Sequence, residues 1–271
     1  MMQPSFERLR AIARYGDDDR VLVAEAADCL ADFDDDPAAL VVTCRRLLAH
    51  HPECAPLWWV CSRVLAAPEP SEAAWESEER VRSDATAARL AALLPFPADH
   101  PIAVLGWPEL AGDALSSRPD LEVLAVRGAT ADGNWERRLA RSDAIARPVD
   151  LTEALAAEVS HVLVDAVAAS GERVMVRDGT SRALDTLARP GPLVWLVAGV
   201  GRVLPNRLFD AMTALIGDAD DPFDEGFEDR GLELLDVQRF DRVAGPTGLE
   251  RPDQVVRRAD CPIAPELLRI R

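Results

Sequence analysis

The segment HVLVDAVAASGERVMVRDGTSRAL, residues 161–184, holds the side chains best suited to chemistry in this sequence. Asp165 follows an apolar run, and Gly179 and Thr180 stand at the start of a predicted helix. A carboxyl group at the end of a buried strand can act as a general acid or base, because desolvation raises its pKa. It can equally be a structural carboxylate that accepts hydrogen bonds from turn amides, such as those of Gly179 and Thr180. Both interpretations stay open at the level of the sequence.

Arginines and helix-start residues in the same region could bind a phosphate group. Gly179 and Thr180 would present backbone N–H groups at a helix N-terminus, where the helix dipole favours an anion. Arg177 and Arg202 follow predicted strands, so their guanidinium groups could add positive charge at the same edge. Capping of the helix by Thr180 or Asp178 explains these residues without any ligand. A phosphate site and a plain helix cap are both compatible with the pattern.

These residues need a scaffold, and the second part of the chain predicts one. From Pro101 onward, amphipathic stretches alternate with the short apolar runs IAVLG, LEVLAV, HVLVD, RVMVR and PLVWLVAG. Apolar strands separated by helices are typical of a mainly parallel sheet with helices on its faces. Ligands of such sheets bind beyond the carboxyl ends of the strands. Asp165 and Arg177 are expected at that edge.

The first part of the chain has helical periodicity, and its last helix is predicted to run through residues 71–94. Asp36 and Pro70 stand where helices are expected to begin. The predicted fold class is therefore α/β, with an N-terminal helical domain followed by a Rossmann-like, mainly parallel sheet domain. The predicted domains are a helical bundle at residues 1–95 and the α/β domain at residues 96–271.

Composition argues against several classes of function. The 271 residues carry a formal net charge of -17, which would repel a nucleic-acid backbone. The sequence contains no lysine, so a Schiff-base lysine and a P-loop lysine are both excluded. We expect no nucleic-acid partner.

Two candidate sites for a cofactor or a metal are also weak. Gly199 and Gly201 lack the third glycine of a dinucleotide-binding fingerprint. His50, His51 and Cys54 lie close together in the sequence, but no second pair of ligands follows at matching spacing. A helix end explains them better than a metal site, and we expect neither a cofactor nor a metal.

The sequence has no feature of a membrane or secreted protein. No apolar run approaches the ~18 residues that a membrane span requires, and residues 1–19 lack an apolar signal segment. The five cysteines form no Cys-x-x-Cys pair and are interpreted as reduced core thiols. A cytoplasmic protein without a membrane partner is expected. The acidic segment from Gly217 to Gly231 does not fit an EF-hand register and is predicted to be a solvated loop.

The segments IAVLGWPELAGDAL, HVLVDAVAASG and VMVRDGTSRAL carry a family resemblance. They are similar to a strand ending in Glu-Ser-Arg-Pro, a strand ending in Gly-Ala-Asp, and an Asn-Lys-x-Gly-Thr segment at a helix start. Such segments occur in this order in the family of the alpha, beta and delta subunits of translation initiation factor 2B. That family includes methylthioribose-1-phosphate isomerase and ribose-1,5-bisphosphate isomerase. The resemblance covers about residues 75–245 and implies a helical domain followed by a Rossmann-like domain.

The same comparison identifies what is missing for the isomerase chemistry. Trp107 stands where the resemblance implies a phosphate-binding arginine, and Val176 replaces the asparagine. The isomerases use a cysteine shortly before the strand at Ile102, whereas this chain has no cysteine between Cys61 and Cys261. Aldose–ketose isomerisation needs a proton carrier and cations that fix the phosphate. The sequence therefore lacks one proton carrier and one cation.

Trp107 could take either of two roles in place of the arginine. Its ring could stack on a base or a sugar, or it could fill a former pocket and stabilise the fold by burying apolar surface. We interpret the chain as an initiation-factor-2B-like pseudoenzyme that binds a small phosphorylated ligand or a protein partner and forms a homodimer. The alternative is a divergent sugar-phosphate isomerase, with Asp165 as general acid or base and with Arg177 and Arg202 binding the phosphate.

Overall fold

The computed structural model describes residues 19–95, 100–127, 134–187, 191–217, 230–258 and 260–270. The chain forms two compact units. The first comprises Met1–Asp84, Val200–Pro222 and Val256–Arg271, and the second comprises Ala85–Gly199 and Phe223–Val255. The domain division at residues 95 and 96 stays a prediction. The expectations for the N-terminal residues 1–18 and for most of the acidic segment, residues 218–229, fall outside the described residues.

The first unit is helical, as the apolar periodicity predicts. Its helices are α1 (Asp19–Ala31), α2 (Pro37–His50), α3 (Ala55–Ala66), α4 (Pro70–Arg82) and α10 (Asn206–Gly217). Asp36 caps α2 as expected, because its carboxylate accepts a hydrogen bond from the backbone N–H of Ala39 at 3.0 Å. Helix α4 begins at Pro70, where the sequence places a helix start. Helix α4 packs against α1 and α3.

The predicted last helix of the first part is interrupted. Helix α4 ends at Arg82, and a separate helix, α5 (Thr86–Leu93), follows in the second unit. The hydroxyl of Ser83 donates a hydrogen bond to the Glu79 carbonyl at 2.7 Å. A serine side chain that satisfies a carbonyl of the last turn competes with continuation of the helix. The single helix expected over residues 71–94 is therefore wrong.

The five cysteines are free and buried, as predicted. Cys44 lies on α2 and Cys61 on α3, inside the first unit. Burial raises the pKa of the Cys54 and Cys61 thiols well above the ordinary value. A thiol in such surroundings is a packing group and a poor nucleophile.

The second unit is organised around a seven-stranded sheet. Its strands are β1 (Ile102–Leu105), β2 (Val123–Val126), β3 (Ala146–Val149), β4 (His161–Asp165), β7 (Leu193–Val197), β9 (Arg242–Gly245) and β10 (Gly248–Glu250). The strand order is β10-β9-β7-β4-β1-β2-β3. Every pairing is parallel except that of β10 with β9. The predicted fold class, helices followed by a mainly parallel α/β sheet, is confirmed.

A second, smaller sheet contains β5 (Ala168–Ala169), β6 (Arg173–Arg177) and β8 (Leu232–Asp236), all antiparallel. The run RVMVR was expected in the parallel sheet, and this expectation is wrong. A tight turn explains the difference, because the Ser170 N–H donates to the Arg173 carbonyl at 2.8 Å. A parallel neighbour would need a crossover connection of a dozen or more residues.

Helices pack on the larger sheet. The remaining helices of this unit are α6 (Glu109–Ser116), α7 (Trp135–Arg141), α8 (Leu151–Ala156) and α9 (Thr180–Leu187). One apolar core joins α5, α6 and α7 to the sheet. Ile102, Leu110, Leu163 and Trp195 belong to one cluster of buried side chains. In the part of the chain that the structure describes, no helix has the length and apolarity needed to cross a bilayer.

His161, the first residue of β4, makes stability depend on pH. Its ring lies edge-on to the Trp195 ring at a centroid distance of 4.9 Å, and burial lowers its pKa. Below about pH 6.5, the unfolded chain binds a proton at this position that the folded chain resists. We therefore expect the free energy of unfolding to fall as the pH drops below about 6.5, with a slope of at most about 1.4 kcal/mol per pH unit.

Urea titrations of the parent chain and of His161→Gln at pH 5.5 to 8 measure this contribution. The difference between the two chains removes the effects of all other titrating groups. The parent should lose more stability than the variant on acidification. Equal losses would show that His161 protonates as readily in the folded chain as in the unfolded one.

Candidate functional site

The carboxyl ends of the parallel strands meet at one edge of the seven-stranded sheet. Trp107 follows β1, Arg127 follows β2, Asp150 follows β3, and Asp165 ends β4. α/β sheets of this kind bind ligands beyond this edge. The candidate site is therefore built from these residues and from the helix N-termini around them.

Asp165 is engaged by the N-terminus of α6. One carboxylate oxygen accepts a hydrogen bond from the Leu110 N–H at 2.8 Å, and the other accepts one from the Ala111 N–H at 3.1 Å. These amides belong to the first turn of α6, where backbone donors have no partner within the helix. Asp165 thus caps α6 from the neighbouring strand β4. The sequence left open whether Asp165 is a general acid or base or a carboxylate that binds turn amides, with Gly179 and Thr180 as an example, and the amides found on it are those of Leu110 and Ala111.

Trp107 is part of the apolar core of this unit and is only 3% exposed. A Cβ atom on Gly112 would lie 2.8 Å from the Trp107 Nε1, so the indole rests where α6 has no side chain. The Trp107 carbonyl accepts a hydrogen bond from Arg138 Nε at 2.9 Å. Of the two roles open to Trp107, these contacts favour the filling of a pocket over stacking on a ligand.

The N-terminus of α9 is occupied by a carboxylate of the chain. Glu233 of β8 accepts a hydrogen bond from the Ser181 N–H at 2.6 Å. The sequence suggested Thr180 or Asp178 as the cap of this helix, whereas the acceptor for the Ser181 N–H is Glu233. The Thr180 hydroxyl instead donates to the Arg177 carbonyl at 2.6 Å. Burial raises the pKa of Glu233, and so does the nearby Asp178, while the Ser181 N–H lowers it. The expected anion site at this helix start therefore already holds an acidic side chain.

Arg177 and Arg202, the two arginines expected to bind a phosphate, do not lie at the edge of the same sheet. Arg177 ends β6 of the smaller antiparallel sheet and is exposed. Arg202 belongs to the first unit, where its Nη2 lies 2.9 Å from an Asp19 carboxylate oxygen. Val176 is fully buried in the smaller sheet. We expected both arginines at one edge because the apolar run RVMVR indicated that β6 belongs to the parallel sheet.

A pocket of about 310 Å³ lies at the carboxyl edge of β2 and β3. Its lining residues come from the ends of these strands and from the first turns of α8 and α9, and they are Arg127, Asp150, Leu151, Thr152, Gly179, Arg182 and Ala183. Gly179 has a φ of +89° in the left-handed region, which a glycine adopts without strain. Small-molecule sites begin at about this size.

The charged side chains that line this pocket are those of Arg127, Arg182 and Asp150. Arg127 is exposed, and its Nε lies 3.5 Å from a carboxylate oxygen of Glu136, which is exposed as well. Arg182 is exposed and makes no ion pair with any residue that the structure describes. The Asp150 carboxylate accepts a hydrogen bond from the Glu153 N–H at 2.7 Å and caps α8. The guanidinium groups of Arg127 and Arg182 therefore line a cavity whose acidic residue, Asp150, caps α8.

Comparison of the sequence with protein-family models and with curated proteins finds no match. Solved structures do match. Translation initiation factor eIF-2B from Pyrococcus horikoshii OT3 superposes with a TM-score of 0.72 at 11% identity, covering 94% of this chain and 100% of that one. The chain has the eIF-2B fold. The resemblance seen in the sequence is confirmed at the level of the fold.

Further solved structures share the eIF-2B fold. The tetrameric eIF2B-beta2-delta2 complex from C. thermophilum gives a TM-score of 0.61 at 14% identity, covering 93% of this chain and 92% of that one. The 5-methylthioribose 1-phosphate isomerase from P. horikoshii OT3 gives 0.61 at 12% identity, covering 94% of this chain and 86% of that one. Both an assembly subunit and an enzyme therefore use this architecture. The fold by itself does not separate their functions.

Within this eIF-2B fold, one of the predicted ligand-binding residues lines the pocket, and that residue is Gly179. The sequence interpretation missed Arg182, Asp150 and Thr152. Arg182 lies in the first turn of α9, where it reads as an ordinary exposed helix residue. Asp150 follows the run ARPV, which contains an arginine and a proline and therefore lacks the pattern of a buried strand. An acid followed three residues later by Glu153 is a capping signal that could have placed the start of α8.

Proposed function

We propose that the chain binds a small phosphorylated ligand in the pocket between Arg127 and Arg182 and does not isomerise it. The pocket is the observation that carries the proposal. A planar guanidinium group can donate two parallel hydrogen bonds to a phosphate. Arg127 and Arg182 offer two such groups beside a cavity at the ligand-binding edge of the sheet. The hydroxyl of Thr152 adds a neutral donor.

The surroundings of Asp165 and Trp107 support binding without isomerisation. A general acid or base must reach the proton that it transfers. Both Asp165 oxygens accept hydrogen bonds from α6 amides, so the carboxylate faces a helix. Trp107 is buried in the core and supplies no cation for a phosphate. Asp165 is therefore proposed to be a structural cap.

Loss of either arginine should weaken binding of a phosphorylated sugar. We expect isothermal titration to give binding of ribose 5-phosphate to the parent chain and none of ribose, because the phosphate supplies the charge. Arg127→Ala and Arg182→Ala should each weaken binding about tenfold or more, since a hydrogen bond to a charged group contributes about 1.5–3 kcal/mol.

Arg147→Ala is the matched control for these variants. Arg147 lies on β3, is exposed, and pairs with Glu153 instead of lining the pocket. Its loss should leave the affinity unchanged. An equal loss in all three variants would indicate attraction by overall charge, and absence of binding to the parent at millimolar ribose 5-phosphate would contradict the proposal.

We also propose that the chain forms a homodimer and acts in the cytoplasm. The solved tetrameric eIF2B-beta2-delta2 complex supports association, because its subunits share this fold. Light scattering on the purified chain tests the first part. A mass twice that of the 29.5 kDa chain is expected, and a single-chain mass at all concentrations would contradict it.

A further inference from the structure

The last described segment of the chain, residues 260–270, lies in a groove of the first unit, and we call this segment the tail. Cys261, Ala264 and Leu267 are buried, at 7%, 1% and 0% exposure. Prolines 262 and 265 stand between these anchors. A spacing of three residues with intervening prolines is typical of a segment that turns one edge toward its receptor, and this segment ends in a single 3-10 turn at Pro265–Leu267. Every third side chain of the tail is therefore an anchor.

Side chains of α2 and α3 bind the backbone of the tail. The Ser62 hydroxyl donates to the Pro262 carbonyl and accepts the Ala264 N–H at 3.1 Å. Arg45 Nε donates to the Glu266 carbonyl at 2.9 Å. The backbone polar groups of residues 262, 264 and 266 thus each form a hydrogen bond with a side chain of α2 or α3. Recognition of this kind uses the extended backbone for affinity and the anchors for specificity.

The start of the tail is held by aromatic and basic residues. Trp59 Nε1 donates a hydrogen bond to an Asp260 carboxylate oxygen at 3.1 Å, and Arg80 pairs with the same carboxylate. The Arg63 and Arg80 guanidinium carbons lie 4.9 and 5.1 Å from the Trp59 ring centroid. The buried Trp59, with Arg63 and Arg80 near its ring, therefore favours an acidic side chain at this end of the groove.

We propose that this groove is a recognition site for an extended, proline-containing segment, and that the tail of a second copy of this chain exchanges into it. A second copy carries the same acid, the same prolines and the same anchors, so every contact of the tail can form between two chains. The proposal is independent of the ligand pocket.

The way in which the tail is held favours exchange. Outside the single turn at Pro265–Leu267, no helix or sheet hydrogen bonds hold it. Its release therefore breaks side-chain contacts, and local opening of this kind needs less free energy than global unfolding.

A disulfide trap tests the exchange directly on the full chain. The Ser62 hydroxyl and the Cys261 thiol both contact the Pro262 carbonyl oxygen, so Ser62→Cys places two thiols close together at the groove. Diamide removes two hydrogens from such a pair and leaves a disulfide. We expect a covalent dimer on non-reducing gels whose fraction rises with protein concentration and which Cys261→Ser abolishes. A crosslink only within one chain at every concentration would overturn the proposal.

If Ser62→Cys forms no crosslink, a peptide titration tests whether the groove binds the tail of another chain. The probe is a fluorescein-labelled peptide of residues 260–270, and the full chain carries Leu267→Ala to weaken its own tail. We expect at least tenfold tighter binding to this variant than to the parent. A peptide with the same Leu267→Ala change should bind at least tenfold more weakly. Failure of the probe to bind the folded Leu267→Ala chain would show that the tail is a permanent part of the unit.

Discussion

Asp165→Ala is expected to lower the free energy of unfolding by about 3 kcal/mol. The substitution removes two hydrogen bonds to a charged acceptor and leaves the Leu110 and Ala111 amides of α6 without it. Hydrogen bonds to charged groups contribute about 1.5–3 kcal/mol each, and part of this is recovered where water reaches the freed amides. Urea denaturation followed by circular dichroism measures the change.

Asp143→Ala is the matched control for the removal of a carboxylate in the same unit. Asp143 is exposed between α7 and β3, and its loss should change stability by about 0.5 kcal/mol or less. A chain with Asp165→Ala that is as stable as the parent would show that the carboxylate does not hold α6. Its position would then be free for a role in catalysis.

The largest loss of stability is expected for Trp107→Ala, at about 4 kcal/mol. The indole is buried in the apolar cluster of the second unit and lies against Gly112 of α6. Removing it deletes buried apolar surface and leaves a cavity that the sheet and α6 can close only in part. Thermal and urea denaturation would both report the change.

Trp75→Ala makes the same chemical change at an exposed position, since Trp75 of α4 is 56% exposed. Its effect should stay within about 0.5 kcal/mol. If Trp107→Ala were as mild as Trp75→Ala, the indole would not be a structural part of the core. The alternative role, a stacking face for a ligand, would then be favoured.

Much of this fold could be predicted from local signals. The runs IAVL, LEVLAV and HVLVD are apolar on both faces, so they could be assigned to a covered parallel sheet, and β1, β2 and β4 are found there. Asp36 before a proline placed the start of α2. These signals depend on residues within one element, which is why a sequence reveals them.

Features that depend on distant residues were predicted poorly. Strand β3 is the edge strand, and its Arg147 and Pro148 are exposed, so it lacks the apolar run of a central strand. Strand β6 has the apolar run but pairs with β8, which follows more than fifty residues later. The sequence could not show which sheet a strand would join.

The candidate site shows the same limit. Asp165 could be identified as an acid at a strand end, but its partners lie 54 and 55 residues away. Likewise, the acceptor at the start of α9 is Glu233, 52 residues from Ser181. The start of α9 could be interpreted as a site for an external anion, because the carboxylate that occupies it comes from another part of the chain.

The most direct test of the account is an isomerase assay of the full chain on methylthioribose 1-phosphate and ribose 1,5-bisphosphate, followed by phosphorus NMR. We expect both sugars to stay unchanged in samples that still bind ribose 5-phosphate through Arg127 and Arg182. Formation of the ketose product by the parent chain, and its loss in Asp165→Asn, would contradict binding without isomerisation. Asp165 would then be a proton carrier, and the chain a divergent isomerase.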